Sequence, residues 1–412
     1  MRISIYNEPA GSGIGGSEFV AALLAEALAK DHQVDLFHRI PSITAEKFAA
    51  NSGTNLDNVR LHYVDRPDSQ PQVSRRHPLA YYHELQKIQA ELSEGYDIFV
   101  AIVHDVPPFS HAKKGALIVL FPVPTAPYVK SEGGVDAKLA RKRPGGYIYQ
   151  SWAWKKRMEG YGLKTAISDF SRLWAKKRWG IDCAVVYPPV NTSFSHVNKE
   201  KVILSVGRFA LRGHGHRKNQ EEMLETYARM QSKRLRDWKY FSVGGLGETS
   251  AHKAYYEQLS ALAATSGAAV VANLPRNELK GLYERASIFW HASGYGENQD
   301  VQPEMVEHFG ISTVEAMAAG CVPVVINKGG QSEIVEHEVS GFVWETLDEL
   351  QHYTARLIDD DILRLQMSGA ARKRAQIFSR ERFLTNFIGR LVGAPFAEGE
   401  EPKLEAVSTV TR

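Results

Sequence analysis

Val202-Ile203-Leu204-Ser205-Val206-Gly207-Arg208 is a short apolar run closed by a glycine and a cation. It predicts a buried strand, and it restarts an alternation that the chain has already run through once. Upstream, Ile3–Asn7, Gln33–His38, Tyr96–His104, Ala116–Phe121 and Ala166–Ser168 read as strands. A helix is expected over Ser17–Lys30, with its apolar stripe at Phe19, Leu23, Leu24 and Leu28. Downstream, Tyr240–Val243, Ala269–Asn273, Ile288–His291, Val322–Ile326 and Gly341–Val343 repeat the strand signal, and a helix begins near Asn219. Strands alternating with helices make βαβ units and parallel sheets. Between the two runs, Tyr187-Pro188-Pro189-Val190-Asn191 breaks the pattern and Thr192–Lys199 is polar. The expected fold is α/β, with two Rossmann-like domains facing across a cleft and the site at the strand carboxyl ends. The domains expected are 1–192 and 193–378. A helix over 379–393 follows, built on the helical stretch Arg382–Leu391, and the Gly, Pro and Glu of 394–412 predict a disordered tail.

Length and composition fit this reading. A chain of 412 residues exceeds one core, and 43% hydrophobic with 24% charged residues is ordinary globular composition. No apolar run reaches 18 residues, which predicts no transmembrane helix. The chain enters a strand pattern directly at Met1, which predicts no signal peptide. Cys183 and Cys321, far apart and in no metal pattern, predict buried thiols in a reducing compartment, hence a cytoplasmic location. Charge is uneven. Residues 130–180 carry 13 Lys and Arg against four Asp and Glu, a local +9 in a chain of net +3, which leaves −6 for the rest. Such a patch suits a phosphorylated acceptor or an anionic membrane, and a solvated helix face explains it equally. No nucleic-acid recognition module is visible.

Several strand ends carry chemistry. In Glu307-His308-Phe309-Gly310-Ile311-Ser312-Thr313-Val314-Glu315, a turn feeds a helix that Gly320 ends. Ser312 or Thr313 is the expected cap, with one carboxylate before the helix and one in its first turn. The free N–H groups of a helix start favour phosphate. A core helix with two solvated glutamates also satisfies this loose spacing. Arg208 and Lys218 flank a loop containing Gly213 and Gly215, where two cations suit a diphosphate. Asn273-Leu274-Pro275-Arg276-Asn277 ends another strand and reads either as a nucleobase-holding loop or as a plain turn. Gly11-Ser12-Gly13-Ile14-Gly15-Gly16 matches a dinucleotide fingerprint, with Asp35 expected at the end of the next strand. That match supports an NAD-dependent oxidoreductase, a sugar-nucleotide site or a bare glycine-rich turn. Gly329–Ile334 reads as structural, and Asp359-Asp360-Asp361 as a solvated turn rather than a metal site. Tyr147, Tyr149, Trp152 and Trp154 stand beside Lys155-Lys156-Arg157 in the basic segment. They suit a membrane interface, a sugar-stacking groove or a half-buried helix face.

Taken together, these motifs resemble the family-4 retaining glycosyltransferases of GT-B fold. The resemblance rests on Glu307–Glu315, Gly15-Gly16-Ser17-Glu18 and Val206-Gly207-Arg208 with Lys218-Asn219. It extends to Trp179-Gly180 with Tyr187-Pro188-Pro189-Val190, and to Gly320-Cys321-Val322-Pro323-Val324-Val325. These segments arrive in the family's order and reach from the first turn to about residue 345. The resemblance implies that Gly15 and Gly16 admit the donor diphosphate and that Arg208 and Lys218 neutralise it. It implies that Glu307 and the backbone of Phe309, Gly310 and Ile311 hold the transferred sugar. Ser312 and Thr313 would hold phosphate and Glu315 the ribose; Asn273 and Leu274 stand as donor-side candidates on the strand-end loop reading above, not on the resemblance. It also implies that the last helix crosses back onto the first domain.

One departure stands out. Where many relatives carry a strand-end His, this chain reads Phe121-Pro122-Val123-Pro124-Thr125, and proline donates no side-chain hydrogen bond. The acceptor-side candidates are then His104, Pro122, Thr125 and Trp152. The expected activity is a metal-independent, retaining transfer of a hexosyl group from a UDP- or GDP-linked donor. A glycan, lipid-linked or small-molecule acceptor would receive it. No cofactor beyond the nucleotide-sugar co-substrate is expected. Peripheral contact with an anionic inner-membrane surface is expected through residues 138–178. An epimerase or phosphorylase of the same fold, an oxidoreductase using Gly11–Gly16, and a non-catalytic sugar-nucleotide binder are the alternatives.

Overall fold

The structure is a computed structural model that describes residues 1–8, 15–41, 43–64, 78–123, 144–211, 217–231, 235 and 237–392. The tail 394–412, Thr125, Gly213, Gly215 and the first four residues of Gly11–Gly16 lie outside the described residues.

Two parallel sheets organise the chain. The first holds β1 (Arg2–Asn7), β2 (Gln33–His38), β3 (Val59–Tyr63), β4 (Ile98–Val103), β5 (Lys114–Val119), β6 (Leu163–Ala166) and β7 (Ala184–Val185). The second holds β8 (Val202–Val206), β9 (Lys239–Gly244), β10 (Ala269–Ala272), β11 (Ile288–His291), β12 (Val322–Ile326) and β13 (Phe342–Trp344). Their orders are β3-β2-β1-β4-β5-β6-β7 and β10-β9-β8-β11-β12-β13. Each reverses once, at β1/β4 and at β8/β11, and crevices at such switch points hold ligands in this class of fold. The central strands are buried on both faces, so they read as apolar runs rather than as alternation.

Two strands were not legible. β3 is the edge of its sheet, and its Val-Arg-Leu-His-Tyr is largely half-buried or exposed. β7 has only two residues. The boundaries of other elements also shift. The first helix is Gly16–Leu28, β4 stops at Val103 so that His104 lies just past it, and β6 is Leu163–Ala166 rather than 166–168.

The last helix, Arg380–Val392, packs on the first domain. Phe383, Phe387 and Leu391 share one apolar cluster with Ile5, Val20 and Leu24. The Arg380 guanidinium covers the Phe19 ring at 4.8 Å. The link between sheets is tied down beside it, with Val190 N–H donating to Phe378 O at 2.9 Å. Among the described residues no helix is long and apolar enough to cross a membrane.

Candidate functional site

The Glu307–Glu315 segment forms a turn and a helix, Ile311–Ala319, but its cap differs from expectation. Gly310 is the N-cap, at φ +131°, with no side-chain cap bond. Thr313 is buried and its hydroxyl donates to Gln331 Oε1 at 2.8 Å. Gln331 Nε2 in turn donates to Phe309 O at 3.1 Å. A Cβ on Gly310 would lie 2.1 Å from that nitrogen, so this turn requires glycine. The Thr313 hydroxyl therefore serves the turn rather than a phosphate, and Ser312, half-buried, is not a cap. The first N–H groups of a helix have no carbonyl partner within it, and such groups suit an anion.

Glu315 lies one turn further in than expected. Tyr283 OH donates to it at 3.2 Å. Burial pushes its carboxyl up to about 7, against the pull of Tyr283, Arg276 and Arg380. It lines a cavity of about 550 Å3 together with Gly15, Gly16, Phe194, Arg276 and Lys280. The first-domain turn enters here, and a Cβ on Gly16 would stand 2.8 Å from Ile311 Cδ1.

Glu307 is held from behind and from the side. Gly330 N–H donates to Glu307 O at 2.9 Å. A Cβ on Gly329 would lie 2.0 Å from the same oxygen, so the backbones pack directly. The Lys218 ammonium pairs with the Glu307 carboxylate, and His291 Nε2 lies 3.5 Å from it. Lys218 reaches that place because Gly207 leaves room; a Cβ there would be 2.8 Å from Lys218 Cγ. Gln220 Nε2 donates to Arg208 O at 3.0 Å, fixing the end of β8, where Arg208 is exposed. Asn273 adopts φ +53°, and its side chain accepts from Leu246 N–H at 2.9 Å. That side chain braces the adjacent loop, and Leu274 beside it is half-buried.

Two family models match the chain. "Glycosyltransferase Family 4" covers residues 14–194 and "Glycosyl transferases group 1" covers residues 191–374. This chain belongs to glycosyltransferase family 4. The GDP-Man:Man(3)GlcNAc(2)-PP-Dol alpha-1,2-mannosyltransferase of Dictyostelium discoideum is 28% identical over 232 residues, 52% of this chain and 43% of its own length. The human protein of that name is 31% identical over 121 residues, 28% of this chain and 22% of its own length. The chain thus spans less than half the length of these curated relatives. Among solved structures, a glycosyltransferase from Rickettsia africae has TM-score 0.64 at 16% identity, covering 96% of this chain and 99% of that one. HepE from Anabaena, solved with UDP and glucose, has TM-score 0.61 at 16% identity, covering 95% and 100%. These likenesses show the GT-B fold.

On the first-domain side of this glycosyltransferase, Pro122 is buried just past β5 and its carbonyl accepts from Arg178 Nη1 at 2.9 Å. His104 donates its backbone N–H to Glu8 Oε2 at 3.0 Å, and burial pushes the Glu8 carboxyl up. Trp152 is 40% exposed and tilts against Tyr82, ring centroids 4.8 Å apart. Of the basic segment 130–180, residues 130–143 lie outside the described residues. Asp35 is not at a strand end. It lies within β2, buried, with Arg60 at 2.6 Å and His62 at 2.7 Å on its carboxylate, which removes the acidic partner of a dinucleotide fingerprint. Asp360 caps the helix Asp361–Ala375 through Leu363 N–H. Among the described residues no group of three His, Cys, Asp or Glu side chains stands close enough to hold a metal.

Sequence reasoning missed Gln331, His291 and Glu333. The stretch Gly329–Ile334, read as structural, presses on Glu307 and supplies two of them. Burial pushes the Glu333 carboxyl up to about 7, opposed by the N–H groups of Asp169 and Phe170. The one signal was the glycine pair, which marks close backbone approach.

Proposed function

We propose that this protein is a retaining, metal-independent hexosyltransferase using a UDP- or GDP-linked sugar. The observation that carries the reading is the Lys218–Glu307 pair beside the open helix start at Gly310-Ile311, facing Gly16. The activity named for the mannosyltransferase relatives and the UDP and glucose of the HepE crystals support a nucleotide-sugar donor.

In this reading Glu315 holds the ribose, with Asn273 and Leu274 toward the base. The N–H groups of the Ile311–Ala319 helix receive the diphosphate. As the glycosidic bond to the diphosphate breaks, charge grows on the departing phosphate, and Arg208, Lys218 and these N–H groups stabilise it. Glu307 holds hydroxyls of the transferred sugar, aided by the Phe309–Ile311 backbone. The acceptor hydroxyl attacks from the face the diphosphate leaves, and its proton passes to the leaving phosphate. Pro122 supplies no side-chain base.

The acceptor, a glycan, lipid-linked or small molecule, binds the first domain. Exposed Trp152 and Leu173 beside Lys155, Lys156, Lys176 and Lys177 support peripheral contact with an anionic membrane on its cytoplasmic side. Calorimetric titration with UDP-glucose, GDP-mannose and NAD tests the donor class. Binding of a sugar nucleotide, with release of its nucleoside diphosphate on adding a glycan acceptor, is expected. Tight NAD binding with no sugar-nucleotide binding would overturn the reading, and a changed sugar still attached to the nucleotide would indicate an epimerase.

A further inference from the structure

The helix Asp169–Trp179 belongs to the first domain, yet both of its ends are held by acidic side chains of the second. At its start, the backbone N–H groups of Asp169 and Phe170 donate to Glu333 Oε2 and Oε1 at 2.6 and 2.7 Å. Ser168 Oγ accepts from Ser171 N–H at 3.0 Å, so local capping and the distant carboxylate share the first turn. A carboxylate on helix-start N–H groups is a charge-assisted arrangement aligned with the helix dipole. At its other end, Arg178 Nη2 pairs with Glu304 Oε2 at 2.7 Å, with the Arg178 side chain only 13% exposed. Between them, His308 stacks on Phe121 at 3.8 Å and 7°, and Phe170 lies parallel to His308 at 6.4 Å.

The placement of these grips matters. Glu304 lies in the short turn Pro303–Met305, just ahead of Glu307. Glu333 follows Gly330, whose N–H donates to Glu307 O. His308 is the next residue after Glu307. The three contacts therefore surround the segment assigned to the transferred sugar. Arg374 fixes the Glu333 side from below, donating to Glu333 O at 2.8 Å. On the far face, Trp154 Nε1 donates to Trp179 O at 3.0 Å, joining the clamped helix to the helix Pro144–Glu159.

We propose that the helix Asp169–Trp179 is the docking element of cleft closure, and that Glu333 and Glu304 are positioning residues that clamp it around the Glu307 segment. Neither carboxylate is assigned contact with substrate. Their work is to seat the first domain, with its acceptor surface, in one register against the donor turn, and small errors of register cost much in transfer reactions. The clamp goes beyond the donor assignments, because it concerns how the two domains meet whichever sugar nucleotide is bound.

Small-angle scattering on the full chain without ligand tests it. Glu333→Gln places an NH2 group against one of the two helix N–H donors, and Glu304→Arg sets two cations together. Each variant is expected to show a larger radius of gyration than the wild type, with thermal melts confirming folded domains. The charge swap Glu304→Arg with Arg178→Glu is expected to return the radius to the wild-type value. UDP and GDP affinities, measured by calorimetry, are expected to stay within about threefold, a shift well below the tenfold that 1.4 kcal/mol makes. Wild-type scattering from both single variants, or a swap as expanded as Glu304→Arg alone, overturns the proposal. Neither result depends on which sugar is transferred, so failure of the donor reading leaves this test intact.

Discussion

Lys218 and Glu307 lie 89 residues apart in sequence and meet as an ion pair whose side chains are only 16% and 20% exposed. The pair puts one cation and one anion at the mouth of the switch-point crevice between β8 and β11. A donor diphosphate would draw on the cation while the sugar hydroxyls engage the anion. Glu307→Gln and Lys218→Gln should each lower kcat by about 100-fold or more, the usual loss on removing one transition-state contact. Glu307→Gln should leave UDP or GDP affinity nearly unchanged, and calorimetry beside steady-state kinetics checks the split.

Gly329 and Gly281 make an opposed pair of tests. Gly329 has φ +59°, and an added Cβ would lie 2.0 Å from Glu307 O. Gly329→Ala should destabilise by about 1–3 kcal/mol of backbone strain and displace Glu307. Gly281 lies in the helix Arg276–Arg285 with nothing within 4 Å of an added Cβ. Gly281→Ala should stabilise by about 0.5–1 kcal/mol. Thermal melts of the two variants should move in opposite directions.

Glu315 carries a pH signature. Its folded-state carboxyl, pushed up to about 7 by burial, starts from an ordinary value of 4.5. The folded state therefore binds a proton more tightly than the unfolded chain. This group's contribution is intact below 4.5 and is lost as pH rises through 7. Glu315→Gln removes the titration. Without nucleotide, the variant should match the wild type at pH 5 and exceed its melting temperature at pH 8. Equal melting differences at both pH values would refute the assignment.

Phe387 sits fully buried in the first domain although it belongs to the last helix. Phe387→Ala should cost about 3–5 kcal/mol, read from the urea midpoint with unchanged slope.

The basic helices predict salt-sensitive membrane contact. Binding to vesicles containing an anionic lipid should fall as ionic strength rises from about 0.05 to 0.5 M, because exposed charges are screened beyond a Debye length. Replacing Lys155 and Lys156 with Glu should reduce it at low salt. Equal binding to neutral and anionic vesicles would count against the contact.

The two-sheet architecture was readable because buried parallel strands leave apolar runs and their helices leave a 3.6-residue stripe. Gly207-Arg208 was readable because it closes an apolar run, and Gly15-Gly16 and the Glu307–Glu315 spacing because each feeds a helix start. β3 escaped because an edge strand buries too little to leave an apolar run, and the cap at Gly310 because a distant Gln331 holds the turn.

What the chain alone carried was therefore local: element type, order and the glycines that permit tight turns. Tertiary structure decided which groups meet. Thr313 turned to Gln331, Asp35 was taken by Arg60 and His62, and Glu333 reached the start of a helix 164 residues away in sequence. Periodicity is set by neighbours along the backbone, whereas hydrogen-bond partners and charge environments are set by packing across space.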